Sequence, residues 1–450
     1  MTRLFRALAL LVLCSFVGAT LVSATASAEH DESDHSPNAK FLVNRPLTIG
    51  KGLTGQGSDL AFQGNLVVAG TYSGTAFYKI KSAREGYLKQ VGFHSCPGSQ
   101  GDVSIVGKHL FVSIDSATTN NGTGPLCNNT DESTGKEGIR IVDVTSLKQP
   151  RQIKFIETPC GSHTHTLVPD GATTYIYVLS YPLGAPAETC NQVPPPGPGH
   201  YKISIIKFPT NDPTKAELID PFDVSPAIGC HDVTVYPARD IAVAGCISES
   251  QVWDIKDPAA PVKLSTITNP EINIHHSSSF TWDGKYIILS DEYGGATAPG
   301  GCPGDSTSTV GAMWFYNITD PAAPVLEGHH ALPRTPTVPE EEICTTHLYN
   351  ILPMKDPTKY IAVSSYYGGG MAVVDFSDPA APVEIGHYLP RLEGTVPDMW
   401  AAYWYNGRVY ANNHTGGQGI EAFKVKGLGA KQVRFFKGRF NPQIQIESFK

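Results

Sequence analysis

Residues 368–387, GGGMAVVDFSDPAAPVEIGH, contain the pattern that decides the fold of this chain. A glycine turn leads into a short apolar strand that ends at Asp375, and a proline-stiffened turn then leads into a second short strand. The turn sequence DPAAPV occurs three times, at residues 257–262, 320–325 and 378–383, with spacings of 63 and 58 residues. An identical hexapeptide at such intervals indicates an array of repeated units.

Turns that align with this one extend the array along the chain. Seven anchors lie near Ser82, Ser146, Asp212, Asp257, Asp320, Asp378 and Lys426. Their spacings run from 45 to 66 residues, and each unit contains short segments rich in Val, Ile, Tyr and Phe. Units of this size predict an all-β fold, a seven-bladed β-propeller of four-stranded antiparallel blades, over residues 40–450. The fourth strand of the last blade is predicted at residues 432–436, and segments 41–49 and 440–449 are candidates for joining the first blade to the last.

The repeated strands also carry a family resemblance. Residues 139–145 (IRIVDVT) and 371–379 (MAVVDFSDP) resemble the repeat of the LVIVD-repeat family of bacterial surface and exported proteins. The pattern recurs at residues 252–258 (VWDIKDP) and 315–321 (FYNITDP). This resemblance implies a β-propeller and names no reaction. More distantly, the D-I-x-D-P-x-x-P pattern is similar to the selenium-binding protein and methanethiol oxidase group, which implies a propeller that uses a metal.

The N-terminus has the features of a signal peptide. Arg3 and Arg6 precede an apolar run over residues 7–22, and residues 26–28 (ASA) form a small-residue cleavage site. We expect residues 1–28 to be removed, residues 29–39 to form a disordered leader, and the mature protein to be secreted or extracytoplasmic, with attachment to the cell surface left open. No later stretch is apolar enough to span a bilayer.

Composition limits the class of partner. Loss of Arg3 and Arg6 changes the formal charge from −8 to about −10, because 32 basic then face 42 acidic side chains. The absence of a lysine- or arginine-rich patch excludes nucleic acid as the expected partner. A small molecule or a surface protein remains, and we expect a monomer.

Eight of the nine cysteines remain after removal of the signal peptide, and an even number in an exported protein favours disulfides. Their positions at the starts of first strands and the ends of second strands place all eight on one face of the propeller. We predict the pairs Cys96–Cys127, Cys160–Cys190, Cys230–Cys246 and Cys302–Cys344. Their predicted role is to stabilise the long loops of that face.

Histidines cluster at the starts of the innermost strands, where residues that are distant in sequence converge on the propeller axis. The preferred metal ligands are His165, His231, His276 and His347, and the competing candidates one or two residues away are His163 and His275. Imidazole suits Cu, Fe, Mn or Zn, so the pattern is compatible with one transition metal ion. The alternative is a wet channel in which histidines bond only water and neighbouring backbone.

Two functions follow from these features. The first is a ligand- or protein-binding module that acts through the histidine-rich, disulfide-pinned mouth. The second is a metal-dependent oxidoreductase with the ion on the propeller axis, for which Glu292, at the end of a second strand on the same face, is the acid/base candidate. The three long loops at residues 116–138, 181–200 and 292–309 would form the rim of either site.

Overall fold

The computed structural model describes residues 34–48, 55–85, 87–116, 136–181, 200–296, 301–335, 342–390, 398–415 and 419–450. These residues form seven antiparallel sheets arranged as a propeller, as the repeat predicts. Two strands precede the blades: β1 (Asp34–His35) and β2 (Ala39–Arg45). Blade 1 contains β3 (Gly57–Gln63), β4 (Leu66–Thr71), β5 (Gly74–Ile80) and β6 (Leu88–Ser95). Blade 2 contains β7 (Val103–Val106), β8 (His109–Ile114), β9 (Gly138–Asp143) and β10 (Arg151–Glu157).

The next three blades follow the same order. Blade 3 contains β11 (Thr164–Asp170), β12 (Thr173–Leu179), β13 (Lys202–Pro209) and β14 (Glu217–Asp223). Blade 4 contains β15 (Asp232–Tyr236), β16 (Ile241–Gly245), β17 (Ser250–Asp254) and β18 (Val262–Ile267). Blade 5 contains β19 (His275–Phe280), β20 (Tyr286–Asp291), β21 (Met313–Asn317) and β22 (Val325–His330).

The last two blades include chain ends. Blade 6 contains β23 (Tyr349–Ile351), β24 (Ile361–Ser365), β25 (Met371–Asp375) and β26 (Val383–Leu389), with β1 added at its outer edge. Blade 7 contains β27 (Met399–Tyr405), β28 (Arg408–Asn413) and β29 (Ile420–Val425), and the final strand of the chain is β30 (Arg439–Phe440). Short 3₁₀ turns at Ala83–Glu85, Pro213–Lys215, Pro237–Arg239 and Tyr293–Ala296 interrupt the connections.

The first strand of each blade lies innermost, and each innermost strand contacts its neighbour around the whole ring. Apolar side chains between the blades form the core, including Trp253, Trp404 and Phe62, which are fully buried. Burial of both faces explains why the second and third strands are nearly continuous apolar runs and do not alternate. The inner strands therefore face the channel.

The DPAAPV turns connect the third and fourth strands and have one conformation in all three copies. The side chains of Asp257, Asp320 and Asp378 each accept a hydrogen bond from the backbone N–H two residues later, at 3.0, 3.0 and 3.1 Å. Each turn also packs on the preceding blade. The Tyr177 hydroxyl donates to the Pro258 carbonyl at 3.0 Å, and the Ser265 hydroxyl donates to the Pro321 carbonyl at 2.7 Å.

The third of these contacts requires a glycine. A Cβ atom on Gly328 in blade 5 would lie 2.0 Å from the carbonyl oxygen of Pro379 in the blade 6 turn. Only a residue without a side chain allows the two backbones to approach this closely. The repeated turn therefore sets the distance between blades as well as the direction of the chain.

The ring closes through the N-terminal strand. β2 pairs with β29 as the outer strand of blade 7, so the prediction of a fourth strand at residues 432–436 was wrong. Segment 432–436 does not pair with β29, because β2 already occupies the outer edge of that strand. The β2–β29 pairing has an irregularity between Phe41 and Val43, and the third and fourth strands of the other six blades each have one as well. Such bulges increase the local twist of a sheet.

The C-terminal segment crosses the face opposite the histidines. β30 pairs with the end of β3, and Asn441 exchanges two hydrogen bonds with the backbone of Ile105, at 3.0 and 3.2 Å. Further along, the Val235 N–H donates to the Gln443 carbonyl at 3.0 Å. The tail thus crosses the lower ends of the inner strands of blades 1, 2 and 4.

Two predicted disulfides are confirmed. Cys230 is bonded to Cys246 within blade 4, and Cys302 is bonded to Cys344 between blades 5 and 6. Cys96 and Cys160 are disulfide-bonded as well, and the partners predicted for them, Cys127 and Cys190, lie outside the described residues. Within the described part of the chain, no helix has the length and apolar character needed to cross a membrane.

Substitution Val43→Asp tests the closure of the ring. Val43 is buried in β2, so an aspartate there would place an unpaired charge between β2 and the core and lower the free energy of unfolding by about 3 kcal/mol or more. Urea unfolding followed by tryptophan fluorescence measures the change. Substitution Lys40→Ser on the exposed side of the same strand should change it by less than about 0.5 kcal/mol. Equal effects of the two variants would contradict this role of β2.

Peptide mapping of the unreduced protein tests the remaining disulfides. We expect linked peptides containing Cys96 with Cys127 and Cys160 with Cys190, together with the two pairs described above, because each pair joins loops of one face. Mass spectrometry of a digest made with free thiols blocked identifies the links. A link between Cys96 and Cys160, or between Cys127 and Cys190, would contradict the prediction.

Candidate metal centre

The inner strands bring four histidines to one level of the channel. His163, His231 and His347 lie just before their inner strands in blades 3, 4 and 6, and His276 is the second residue of β19 in blade 5. Their rings form a continuous row, with centroid separations of 4.3 Å for His163–His231, 3.7 Å for His231–His276 and 4.5 Å for His276–His347. Because the repeat places equivalent positions at equivalent heights, residues from four blades meet in one cluster.

The tautomer of His347 is set by its surroundings. Its Nδ1 lies 2.5 Å from the carbonyl oxygen of Trp400. A carbonyl can only accept, so Nδ1 carries the proton and the lone pair remains on Nε2. That Nε2 atom faces Glu292, whose Oε1 is 3.6 Å away. A histidine held by a carbonyl through one nitrogen and presenting the other is the arrangement that metal-binding histidines use.

Glu292 is held at the centre of the cluster. The Tyr367 hydroxyl donates a hydrogen bond of 2.6 Å to Glu292 Oε1, and Glu292 Oε2 lies 3.6 Å from His276 Nε2. Its side chain is only 8% exposed. The carboxylate thus reaches both His276 and His347 from the end of β20, as the sequence suggested for a residue of this face.

His276 is the least satisfied group of the cluster. It is fully buried, and neither ring nitrogen has a hydrogen-bond partner among the described residues. Nε2 faces Glu292, and Nδ1 lies 4.0 Å from Asp232 Oδ2. A buried imidazole normally costs free energy unless at least one nitrogen is paired, so the position points to a missing partner.

His163 and His231 share a hydrogen bond between their Nε2 atoms, at 2.8 Å. His163 Nδ1 is 2.6 Å from Asp115 Oδ2, and His231 Nδ1 is 3.2 Å from Asp232 Oδ2. One proton must therefore lie between the two Nε2 atoms. Burial acts to lower the pKa of His163, but the hydrogen bond with Asp115 and the negative charges of Asp115, Asp232 and Glu292 together outweigh it and raise that pKa above its usual value.

Burial dominates the electrostatics of the other members. It lowers the pKa of His231, His276 and His347 well below the usual range, and their neighbouring histidines add to the effect. Burial raises the pKa of Asp232 and of Glu292, each to about 7. Neutral imidazoles are the form that binds metal ions, and a cation nearby would favour the carboxylate form of both acids.

The other two predicted histidines are turned away from this row. His165, one residue into β11, has its Nδ1 at 2.8 Å from the Ser113 hydroxyl and 2.9 Å from Asp102 Oδ2, so it faces blade 2. His275 Nδ1 is 2.8 Å from the Ser250 hydroxyl of blade 4. The structure brings together His163, His231, His276, His347 and Glu292 of the residues singled out in the sequence.

Sequence reasoning did not assign a role to Asp115, Asp232 or Trp400. Asp115 follows a second strand directly, which is the position that singled out Glu292 in blade 5, and Asp232 adjoins His231. Those two signals were present in the sequence. Trp400 contributes a backbone carbonyl, so no side-chain pattern could have revealed it. Asp291, beside Glu292, accepts hydrogen bonds from the backbone N–H groups of residues 273, 274 and 311 and has a structural role.

The fold and site together define a seven-bladed β-propeller with a histidine- and carboxylate-rich cluster at the mouth of its channel. No family model and no curated protein matches this chain. The chain is similar in structure to hydrazine synthase of Kuenenia stuttgartiensis, with TM-score 0.50 and 13% identity over 81% of this chain and 93% of that one.

A protein from Lactobacillus plantarum is similar as well, with TM-score 0.52 and 12% identity over 86% of this chain and 98% of that one. At such low identity these similarities show the propeller fold alone. The resemblance to the LVIVD-repeat proteins and to the selenium-binding group stays a prediction.

Two single substitutions, each made in metal-free protein, test whether His276 lacks a partner and His163 has one. His276→Leu removes two unpaired buried nitrogens at nearly constant volume, so we expect the free energy of unfolding to rise by about 1 kcal/mol. His163→Leu leaves the Asp115 carboxylate without its partner and should lower the free energy of unfolding by about 3 kcal/mol. Urea unfolding in the presence of a chelator measures both. Loss of stability in the His276 variant as large as in the His163 variant would show that His276 has a structural partner.

Proposed function

We propose that this propeller is a metal-dependent oxidoreductase whose ion is held by His276, Glu292 and His347. The observation that supports it is the buried His276 ring, whose two nitrogens lack hydrogen-bond partners within the described residues while Nε2 faces a carboxylate. His276, Glu292 and His347 offer three ligand atoms within 4.8 Å of one another.

The spacing of these atoms suits one ion. Glu292 oxygens lie 3.6 Å from His276 Nε2 and 3.6 Å from His347 Nε2. Ligands bound at about 2.1 Å in a tetrahedral arrangement are roughly 3.4 Å apart, so small movements would bring all three onto a common ion. The chain supplies the surrounding contacts too, because Tyr367 holds the carboxylate and the Trp400 carbonyl fixes the His347 tautomer.

Two histidines and one carboxylate with open positions are typical of non-haem iron oxygenases, although the same donors accept Cu, Mn or Zn. When bound, such an ion would supply Lewis-acid or one-electron chemistry at its open positions. The residues of the chain would bind the ion and orient the side chains that hold it. Burial of His276 and His347 limits the access of water to their rings, and the Tyr367 hydroxyl holds a proton at Glu292 Oε1.

Glu292 therefore has a different role in this proposal from the acid/base role suggested by the sequence. Its two oxygens face two imidazoles, so it acts as a ligand, and Tyr367 is the nearest group that holds a proton. Of His163 and His165, only His163 joins the row of rings, and neither is among the three proposed ligands.

A binding module remains the second candidate, and aromatic rings at the cluster favour it. Tyr181 lies 5.2 Å from His163 and 5.5 Å from His231, and Trp400 lies 4.6 Å from His347, measured between ring centroids. Tyr181 and Trp400 are both partly exposed, so they would contact a planar or apolar ligand that enters the mouth.

We also propose that the protein is exported. The two disulfides between described cysteines support an oxidising compartment. The predicted signal peptide agrees with it, and so does the resemblance to exported and surface proteins. Metal loading would then take place outside the cytoplasm.

Metal analysis of the mature protein, purified without a histidine tag, tests the proposal. We expect at least one equivalent of a transition metal per chain, and we expect the double variant Glu292→Ala/His347→Ala to lose one equivalent because two of three ligands are gone. Inductively coupled plasma mass spectrometry gives the count. Binding of nitric oxide to the Fe(II)-loaded protein, detected by electron paramagnetic resonance, reports an open coordination position.

Substitution His330→Gln is the matched control. His330 is buried and both its ring nitrogens lack partners in the described chain, but it is not one of the candidate metal ligands. Its metal content should equal that of the wild type. Wild-type protein without stoichiometric metal, together with ligand binding that survives the double variant, would leave the binding module as the function.

A further inference from the structure

The histidine cluster contains two groups of candidate ligands that share one residue. The first group is His276, Glu292 and His347, and the second is His231, Asp232 and His276. All five residues are buried. The shared residue, His276, faces one group with each nitrogen: Nε2 lies 3.6 Å from Glu292 Oε2, and Nδ1 lies 4.0 Å from Asp232 Oδ2.

The two nitrogens of an imidazole point away from each other, so a single ion cannot bind both. One ion would be bound by His276 Nε2 with Glu292 and His347. The other nitrogen of His276, Nδ1, would then face His231 and Asp232 without binding an ion. Asp232 Oδ2 is 3.2 Å from His231 Nδ1 and 4.0 Å from His276 Nδ1. These distances bracket the roughly 3.4 Å expected between ligands of one tetrahedral ion.

We propose that His276 bridges two transition-metal ions, the first held with Glu292 and His347 and the second with His231 and Asp232. This inference rests on the proposed metal centre and adds a second ion to it. Binding on both sides replaces the remaining N–H proton of His276, which passes to solvent, so the ring becomes a bridging imidazolate. A bridging role explains why both nitrogens of the buried His276 ring lack partners among the described residues.

Charge supports the arrangement. Two divalent ions in a buried site need anionic ligands, and each group supplies one carboxylate, Glu292 on one side and Asp232 on the other. The bridging imidazolate adds a third negative charge between the ions. Asp115 accepts a hydrogen bond from His163 Nδ1–H, so a neutral His163 accepts the shared proton from His231 Nε2, and the lone pair of His231 Nδ1 then faces Asp232.

Loading with Cu(II) tests the inference, because Cu(II) accepts imidazole and carboxylate ligands and its unpaired spin reports the bridge. The full mature chain without a tag is loaded with Cu(II), passed over a chelating resin and analysed for copper. We expect two ions per chain. Spin coupling through the imidazolate should make the low-temperature paramagnetic resonance signal integrate to far fewer than two spins.

Variants assign the two positions. Asp232→Asn should reduce copper from two ions to one and restore a full, uncoupled single-ion signal, and His231→Gln gives the same test from a second residue of that side. Glu292→Gln, on the side of the first ion, should also leave one copper ion with an uncoupled signal. His275→Gln, a buried neighbour that bonds Ser250, should retain two coupled ions.

The outcomes separate the two proposals. One ion in the wild type, unchanged in Asp232→Asn and lost in the Glu292→Ala/His347→Ala variant, would overturn the bridge and leave the proposed function standing. Two ions with a full uncoupled signal would overturn the bridge as well. Absence of bound copper in the wild type would overturn both.

Discussion

The pairing of β2 with β29 is the interaction on which the rest of this structure depends. A blade buries both faces against its neighbours, so seven blades are stable together only if the first contacts the last. An N-terminal strand that completes the C-terminal blade provides this contact through backbone hydrogen bonds. The histidines of blades 3 to 6 are far apart in sequence, and the closed ring holds them at one height.

The repeat and the site obey different rules within this ring. The DPAAPV turns lie on one face, where their aspartates and prolines fix turn geometry and the approach of neighbouring blades. The cluster lies on the other face, where the blades depart from the repeat. A regular lower face thus supports an irregular upper face, as expected where a rigid scaffold presents a site.

Much of the architecture could be predicted from sequence because it follows from periodicity. The strand pattern gave the blades, and the cysteine positions gave Cys230–Cys246 and Cys302–Cys344. Blade 7 was misassigned because residues 432–436 have strand-forming composition, while the strand that pairs there lies almost four hundred residues earlier. Local composition does not show which of two strand-forming segments pairs with the outer edge of a blade.

The histidine set could be predicted only to within one or two residues, for two physical reasons. A register irregularity between His275 and Ser278 decides that His276 faces the axis, and bulges have no simple sequence signal. His165 lies two residues further along its strand than His163, which is about 6.6 Å deeper in the channel, where it meets Asp102 and Ser113. The carbonyl of Trp400 was invisible to any side-chain pattern.

The C-terminal tail has a consequence for traffic through the channel. Because it crosses the inner strands at the end opposite the cluster, the tail obstructs that end, and entry and departure would then share the opening at the histidines. Whatever is seated deepest must arrive before anything that covers it, and must leave after it. An ion held at the histidines would then be trapped for as long as a larger molecule occupied the mouth, so exchange of the ion and turnover of the ligand would be ordered events.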